Sequence, residues 1–594
     1  MKKLLFTTIA LAAYAISFAE TVKINGLYYS LGATTAQVVQ DQSTGKSVYS
    51  AYTSVTIPAS VTYNNYTYPV TSIGSSAFEA LTNLQQVVLP SGVTTINSDA
   101  FYGCSKLGSV NIDEGLTTIG ARAFWGCALT DITIPSTVTS IGNAAFKNNP
   151  TTSVTWLPAN CSIGTDTYAP FYSENSQIRS FTFGDSVQVV PAYLCTGMSR
   201  IDTIVLPPSV RSLGAHAFYY CTSLRSINLP VTQKTLPVSF LEGCTSLDSI
   251  HLPATLTTIS SDAFYGCSSL SKVNIDEGLT TIGARAFWGC ALTDITIPST
   301  VTSIGNAAFK NNPTTSVTWL PANCSIGTDT YAPFYSENSQ IRSFTFGDSV
   351  QVVPAYLCYR MTRLDSIHIP ATVTSIGARA FMYCSSLKSI AFPQGMTTLA
   401  VSVLEGCSAL EHVVIPSSVT TINQDAFYGC TALQTIHNYA YTPQTITERA
   451  VHNVNKSTCL LYVPIDYISL YRSKAVWCDF VNIIGVATDL QFEDQLVHVS
   501  FLRQDSSLYY MDAQTWQIPV APYIEGFTFL TWRVQEGALS DGIVLQAVYS
   551  SNTSTDADPI PASKSPLARK LIRDGNVYIL RDDKVYSVSG QLSE

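Results

Sequence analysis

Residues 129–146 read LTDITIPSTVTSIGNAAF. Leu129, Ile132 and Ile134 fall on one side of an extended chain, and Asp131 and Thr133 fall on the other, the two-residue period of a half-buried strand. Pro135 has no N–H to give to a ladder and ends the strand. Val138 and Ile141 form a second inward pair, Gly142 allows a turn, and Ala145-Phe146 closes the core on a short helical turn. One such coil has an apolar inside and nothing to cover it. It becomes stable only when stacked on copies of itself, about 4.8 Å apart.

The copies are present. Phe78, Phe101, Phe124, Phe146, Phe171, Leu194, Phe218, Leu241, Phe264, Phe287, Phe309, Phe334, Leu357, Phe381, Leu404, Phe427 and Val451 follow one another at 22 to 25 residues, each closing the same pattern. A fixed period of this size is the mark of a solenoid with about one strand per period. A larger repeat is laid over the small one. Residues 110–195 match residues 273–358 at all 86 positions, an offset of 163 residues, or seven periods. The copy therefore keeps register. Beyond it the likeness weakens: GMSRIDTIVLPPSVRSLGAHAF at 197–218 answers RMTRLDSIHIPATVTSIGARAF at 360–381.

The unit LxxVxIPxxVxxIGxxAFxxC resembles the BspA-like leucine-rich repeat, and the likeness runs over roughly residues 70–486. It implies a β-rich solenoid: a right-handed leucine-rich-repeat horseshoe of about 17 turns, strands on its concave face, followed by a small β-module and a terminal β-hairpin. Residues 20–69 (LYYSLGATTAQVV, SVTIPASVTYNNYTYPV) resemble the family's N-terminal cap, and CLLYVPIDYISLYRSKAVWCDFVNI at 459–483 resembles its closing cap, taken to 486. In the β-module, 487–550, residues 519–550 resemble an internalin B repeat, with AVYS where that module ends in AxW. A polar, Pro-containing linker follows at 551–566. Residues 567–594 (ARKLIRDGNVYILRDDKVYSVSGQLSE from 568) resemble the terminal part of a type IX secretion sorting domain, which implies outer-membrane transit; the plain alternative is a small hairpin without a sorting role.

At 594 residues the chain is too long for one ordinary core. Charged residues make up 12%, against about 25% in typical domains. The net charge of −9 speaks against sequence-independent nucleic-acid binding, which needs clustered Lys and Arg. Lys2 and Lys3, an apolar run over 4–18 and the small residues Ser17 and Ala19 form an export signal cleaved after Ala19. The run is shorter than the ~20 residues that span a bilayer, and no other segment approaches that length. The expected location is the cell surface or outside the cell.

Fifteen cysteines in an exported chain normally mean disulfides. Here Cys104, Cys127, Cys221, Cys244, Cys267, Cys290, Cys384, Cys407 and Cys430 each stand three residues after the closing position, which describes a buried ladder of free thiols. Asn149 and Asn312 fill the same slot, suited to bonding neighbouring backbone. Cys459 and Cys478, in the closing cap, are left open as a pair or as free thiols. There is no CxxC and no HExxH, GxSxG or phosphate-cradling glycine loop around the seven histidines. Asp113-Glu114 and Asp276-Glu277 are adjacent carboxylates in turns without a nearby base. No catalytic, cofactor or metal site is expected, and the chain reads as a non-enzyme.

Two surfaces remain. One outward column of the strands carries Asn111, Thr133, Thr155, Thr182, Asn228, His251, Asn274, Thr296, Thr318, Thr345 and His368, a polar groove for an extended partner or a solvated sheet face. A stripe one residue after the closing position carries Tyr102, Trp125, Tyr172, Tyr219, Tyr265, Trp288, Tyr335 and Tyr428, aromatic platforms for an interface or a sugar, or rings packed beside a turn. The family resemblance implies adhesion to host, matrix or other cell-surface proteins. The alternatives are glycan capture through the aromatic stripe and a structural spacer without a ligand. The duplicated blocks 110–195 and 273–358 offer the same face twice, the condition for bivalent engagement of a repetitive partner.

Overall fold

The computed structural model describes residues 20–40, 49–165, 168–172, 176–335 and 339–486, together with backbone strands at 499–502, 508–511, 527–534, 545–551, 569–573, 576–581 and 584–587. The expected export signal, the linker from 552 to 566 and residues 588–594 lie outside the described residues. The chain forms a β-solenoid of about 18 turns. It divides into two compact units, Met1–Thr293 with Ser303–Asn312, and Asp294–Thr302 with Pro313–Glu594.

In the first unit the strands Asp131–Ile134, Ser153–Trp156 and Ser180–Phe183 pair in parallel, Thr133 against Thr155 and Thr155 against Thr182. Burial alternates as the sequence requires, with Ile132 and Ile134 inside and Asp131 and Thr133 exposed. Ile141, with Ser140, belongs to a second ladder that the sequence does not mark as a strand, and Val138 closes the turn before it, its N–H on Pro135 O at 3.2 Å. Tyr66–Ile73, Thr95–Ile96, Thr118–Ile119, Ser140–Ile141 and Ser162–Ile163 pair in parallel one after another. These coils of the first unit thus have two β segments each, not one.

The third side is not helical. Asp99, Phe101 and Gly103 donate their N–H groups forward to Ala121, Ala123 and Trp125 of the next coil, at 2.8–2.9 Å. Asp99 has φ +59 and Gly103 φ +71. A positive φ every fourth residue is incompatible with a right-handed helix, and it turns alternate N–H groups toward the neighbouring coil. The same left-handed position recurs at Arg122, His216, Asp262 and Arg285. Stacking, not local propensity, satisfies this backbone.

The closing phenylalanines form the core column. Phe78, Phe101, Phe124, Phe146 and Phe171 stack with centroids 5.2–5.3 Å apart and planes within 11°. Tyr49, from the N-terminal cap, lies 5.2 Å from Phe78 and covers the column's first ring. The cap strands Glu20–Ile24, Leu27–Leu31 and Ala36–Val39 continue the second ladder over the first coil, with Glu20–Ile24 as its outermost strand.

One register needs correction. Cys195, not Leu194, takes the closing position: its N–H bonds Ala217 O, and its carbonyl accepts the thiol of Cys221 as phenylalanine carbonyls do elsewhere. In the second unit Cys358 replaces Leu357 in the same way, accepting from Cys384 at 3.1 Å. A small side chain fills the aromatic slot, and the leucine before it is buried beside it.

The second unit repeats the plan with the parallel strands Asp294–Ile297, Ser316–Trp319 and Ser343–Phe346. It closes on Ser389–Ala391, His412–Ile415, Thr435–Asn438, Leu460–Pro464 and Asn482–Val486, all parallel. Trp477 and Tyr471 seal the end, the indole N–H donating to Gln444 O at 2.9 Å and the phenol to Ala440 O at 2.8 Å. Val499–Leu502 pairs antiparallel with Leu508–Met511, and Phe527–Val534 with Leu545–Ser551. Arg569–Arg573, Asn576–Arg581 and Lys584–Ser587 form a three-stranded antiparallel sheet, one strand more than the expected hairpin.

All fifteen cysteines are free, including buried Cys459 and exposed Cys478, so no bridge joins those two. The nine ladder thiols donate to the closing-position carbonyl of the preceding coil, from Cys104 to Phe78 O at 3.0 Å to Cys430 to Leu404 O at 3.3 Å. Asn149 makes the same bond to Phe124 O at 2.7 Å. Burial pushes the Cys104, Cys221 and Cys384 thiols up to about 12.

Candidate recognition faces

The strand face separates residues that the sequence placed in one column. Asn111 accepts from Leu89 N–H at 2.7 Å and donates to Leu89 O at 3.0 Å. Asn228 does the same to Leu206, at 2.7 and 2.9 Å, and Asn274 to Leu252, at 2.9 and 3.3 Å. In these coils the strand is only two residues long, Ser109–Val110, Ser226–Ile227 or Lys272–Val273. The amide stands in for the ladder bonds that the short strand omits. These three asparagines are backbone clamps, each contributing about two hydrogen bonds of roughly 1 kcal/mol.

The threonines differ. Where the position is Thr the strand runs four residues and the backbone needs no help. Thr133, Thr182, Thr296 and Thr345 are exposed, and Thr155 and Thr318 half-buried. Their hydroxyls have no hydrogen-bond partner among the described residues, whereas Thr117 and Thr139, on the second ladder, bond back to Thr94 O and Thr117 O. His251 and His368 are exposed. The rows Thr133, Thr155, Thr182 and Thr296, Thr318, Thr345 are each brought into cross-strand register.

The aromatic stripe is half-buried, with Tyr335 fully buried. Most of its ring faces are occupied by the protein's own cations. Lys147 lies 5.2 Å from Trp125 and 5.1 Å from Tyr172. Arg122 sits 5.7 Å from Tyr102 while bonded to Asp99, Arg285 5.8 Å from Tyr265 while bonded to Asp262, and Arg449 5.8 Å from Tyr428 while bonded to Asp425. DAFYGC at 99–104, 262–267 and 425–430 carries these three stations at intervals of 163 residues, a third occurrence that the long identity hides. Tyr219 packs edge-on against His216 at 5.4 Å.

The paired carboxylates are structural. Glu114 accepts from Ser136 N–H at 3.1 Å and Ser136 Oγ at 2.9 Å, which holds it below the usual carboxylate range. Asp113 accepts from Asn111 at 2.7 Å. Beside each carboxylate pair is a notch of about 10 Å³, lined in one case by Leu89, Pro90 and Asn111 and in the other by Leu252, Pro253 and Ile275. That is room for about one water. Among the described residues no group of three or more His, Cys, Asp or Glu could hold a metal ion, and no helix is long and apolar enough to cross a membrane.

Known proteins place the repeat. The BspA type leucine-rich repeat region matches residues 71–201, 188–318 and 328–459. A leucine-rich repeat protein from Bacteroides ovatus is 25% identical, covering 74% of this chain and 99% of its own at a TM-score of 0.46. A leucine-rich cell surface protein from Faecalibacterium prausnitzii is 22% identical over 75% of this chain and 94% of its own, TM-score 0.32. The pneumococcal vaccine antigen PcpA is 17% identical over 79% of this chain and 98% of its own, TM-score 0.31. No curated protein sequence matches the chain. With its period, its closing phenylalanines and thiols and the family match over more than half its length, the chain belongs to the BspA-type leucine-rich repeat family.

Proposed function

We propose that this chain is an exported, non-enzymatic recognition protein that adheres to host, matrix or cell-surface proteins through its strand face. One observation carries the reading: the in-register threonine rows 133, 155, 182 and 296, 318, 345 hold hydroxyls that the fold itself does not use. An array of small uncharged donors and acceptors on a rigid sheet suits an extended partner, because little side-chain entropy is lost on contact. The surface location of relatives such as the Faecalibacterium protein supports the setting. The internalin B-like module and the sorting-like tail belong to the same proposal.

The test is an array of immobilised proteins and glycans probed with the mature chain, beside Thr155→Arg and Thr318→Arg variants. Protein hits lost in both variants support the reading. Hits on neutral sugars in place of proteins would favour glycan capture, and silence a spacer. Removing residues 111–273 joins Val110 to Asn274 in register, seven periods shorter. That form should hold a single ligand unit as well as the parent and a repetitive ligand more weakly. Deleting residues 568–594 should trap folded protein in the periplasm if the tail is a sorting signal.

A further inference from the structure

Within the second unit, one stretch of the turn side carries large side chains in two neighbouring coils where the coils that follow carry glycine or asparagine. At the position two residues after the closing residue the chain takes a left-handed conformation, and glycine supplies it at Gly406 and Gly429. Arg360 and Tyr383 occupy that position instead, at φ +59 and +61. Large side chains in the left-handed region are uncommon and cost energy; Tyr220 of the first unit takes the same position as Tyr383, at φ +56, whereas Arg360 stands where the first unit has Gly197.

The side chains gather. Tyr359 lies 6.3 Å from Tyr383 and 5.5 Å from Tyr356. The Arg360 guanidinium sits 5.8 Å from the Tyr359 ring and 5.5 Å from the Tyr383 ring, and Arg379 sits 5.5 Å from Tyr356 while donating to its hydroxyl at 2.6 Å. Elsewhere on this side an arginine over a tyrosine is neutralised by an aspartate of the preceding coil, as Arg449 is by Asp425. Arg360 and Arg379 have no ion pair among the described residues; Glu405 and Asp329, the acids of the neighbouring turns, pair with neither. Tyr383 is 37% exposed, and so is Val401.

We infer that Tyr356, Tyr359, Arg360, Arg379 and Tyr383 form a binding site for an acidic saccharide, a sugar chain bearing carboxylate or sulfate groups. The neighbouring rings hold both guanidiniums in place, and beyond the Arg379 bond to Tyr356 their N–H groups remain for the bidentate geometry that carboxylate and sulfate accept. The exposed Tyr383 and Val401 offer an apolar surface to the C–H face of a sugar ring beside those charges. A chain of net charge −9 repels long polyanions in general, so two isolated guanidiniums select a short, locally acidic ligand. This site lies on the turn side and stands apart from the threonine rows. It can fail without affecting the adhesion reading, and the reverse holds.

The test uses the mature chain with four probes: an oligogalacturonate, a short dextran sulfate, neutral dextran of the same length and a polyglutamate peptide. The decisive variant is Arg360→Gly with Tyr383→Gly, which restores the residue other coils carry and keeps the backbone conformation. Thermal unfolding should stay at or above the parent's, while affinity for one of the two acidic saccharides falls tenfold or more; which of the two binds tells carboxylate from sulfate. Arg379→Gln should weaken binding several-fold, and raised salt should weaken it in the parent. Undiminished binding by the glycine variant, equal binding of neutral dextran or polyglutamate, or no binding of either acidic saccharide by the parent would overturn the assignment.

Discussion

Up to Cys195 in one block and Cys358 in the other the text is the same; over the residues that follow, 196–221 and 359–384, it parts. The inward positions barely move. Met198 answers Met361, Ile201 answers Leu364, Phe218 answers Phe381 and Cys221 answers Cys384, all buried to within 1%. The outward ones change kind: Gly197 to Arg360, Val205 to His368, His216 to Arg379, Tyr219 to Met382. A close-packed interior penalises each change of volume, while the outside of a coil is answerable only to solvent or a ligand. Divergence on the outside with the interior held is what a scaffold shows when its faces are put to different uses.

The comparison can be broken most sharply in the core. Phe218→Ala and Phe381→Ala should each cost about 3–5 kcal/mol, and by similar amounts, since both rings are fully buried. Chemical denaturation of the two variants checks this, and a cost below about 1 kcal/mol for either would separate the interiors. Next comes the strand clamp. Asn228→Ala strands the N–H and C=O of Leu206 and should cost about 1–3 kcal/mol. The equivalent residue of the second block is Ala391, which has no amide to offer Ile369, the counterpart of Leu206. An unaffected N228A protein would deny the clamp.

Alkaline titration tests the thiol ladder. Cys221 and Cys384 are both pushed up to about 12 by burial, from an ordinary value of 9.0. The unfolded chain loses these protons first, so stability is full below pH 9 and declines as pH rises toward 12. Cys→Ser at both positions should flatten the decline, and thiol reagents should label the native ladder slowly until denaturant is added. Acid acts through His437, which burial lowers to about 4; the unfolded chain takes a proton near pH 6.5 and the folded one does not, so stability falls between those values, a loss that His437→Asn should remove. The smallest effect is expected outside: Val205→His, which carries the second-block residue into an exposed position of the first, should change stability by less than about 0.5 kcal/mol.

The sequence by itself determined the coil. Alternation at Leu129–Ile134, the proline stop and the recurring Phe and Cys are periodic, and periodicity survives in text because stacking forces one answer at each inward position. The buried free thiols and the Asn149 substitution were legible for the same reason. Tertiary structure alone decided the rest. Whether Ser140 and Ile141 make a strand, and whether the Ala145-Phe146 turn is helical, depends on hydrogen bonds to coils some 22 residues away, not on local residues. By the sequence pattern Leu194 takes the closing position; that Cys195 sits there instead only the pairing to Ala217 reveals. In one outward column, Asn111 is spent on Leu89 while Thr133 is left free; residues of like polarity in like positions are told apart by what the neighbouring backbone lacks.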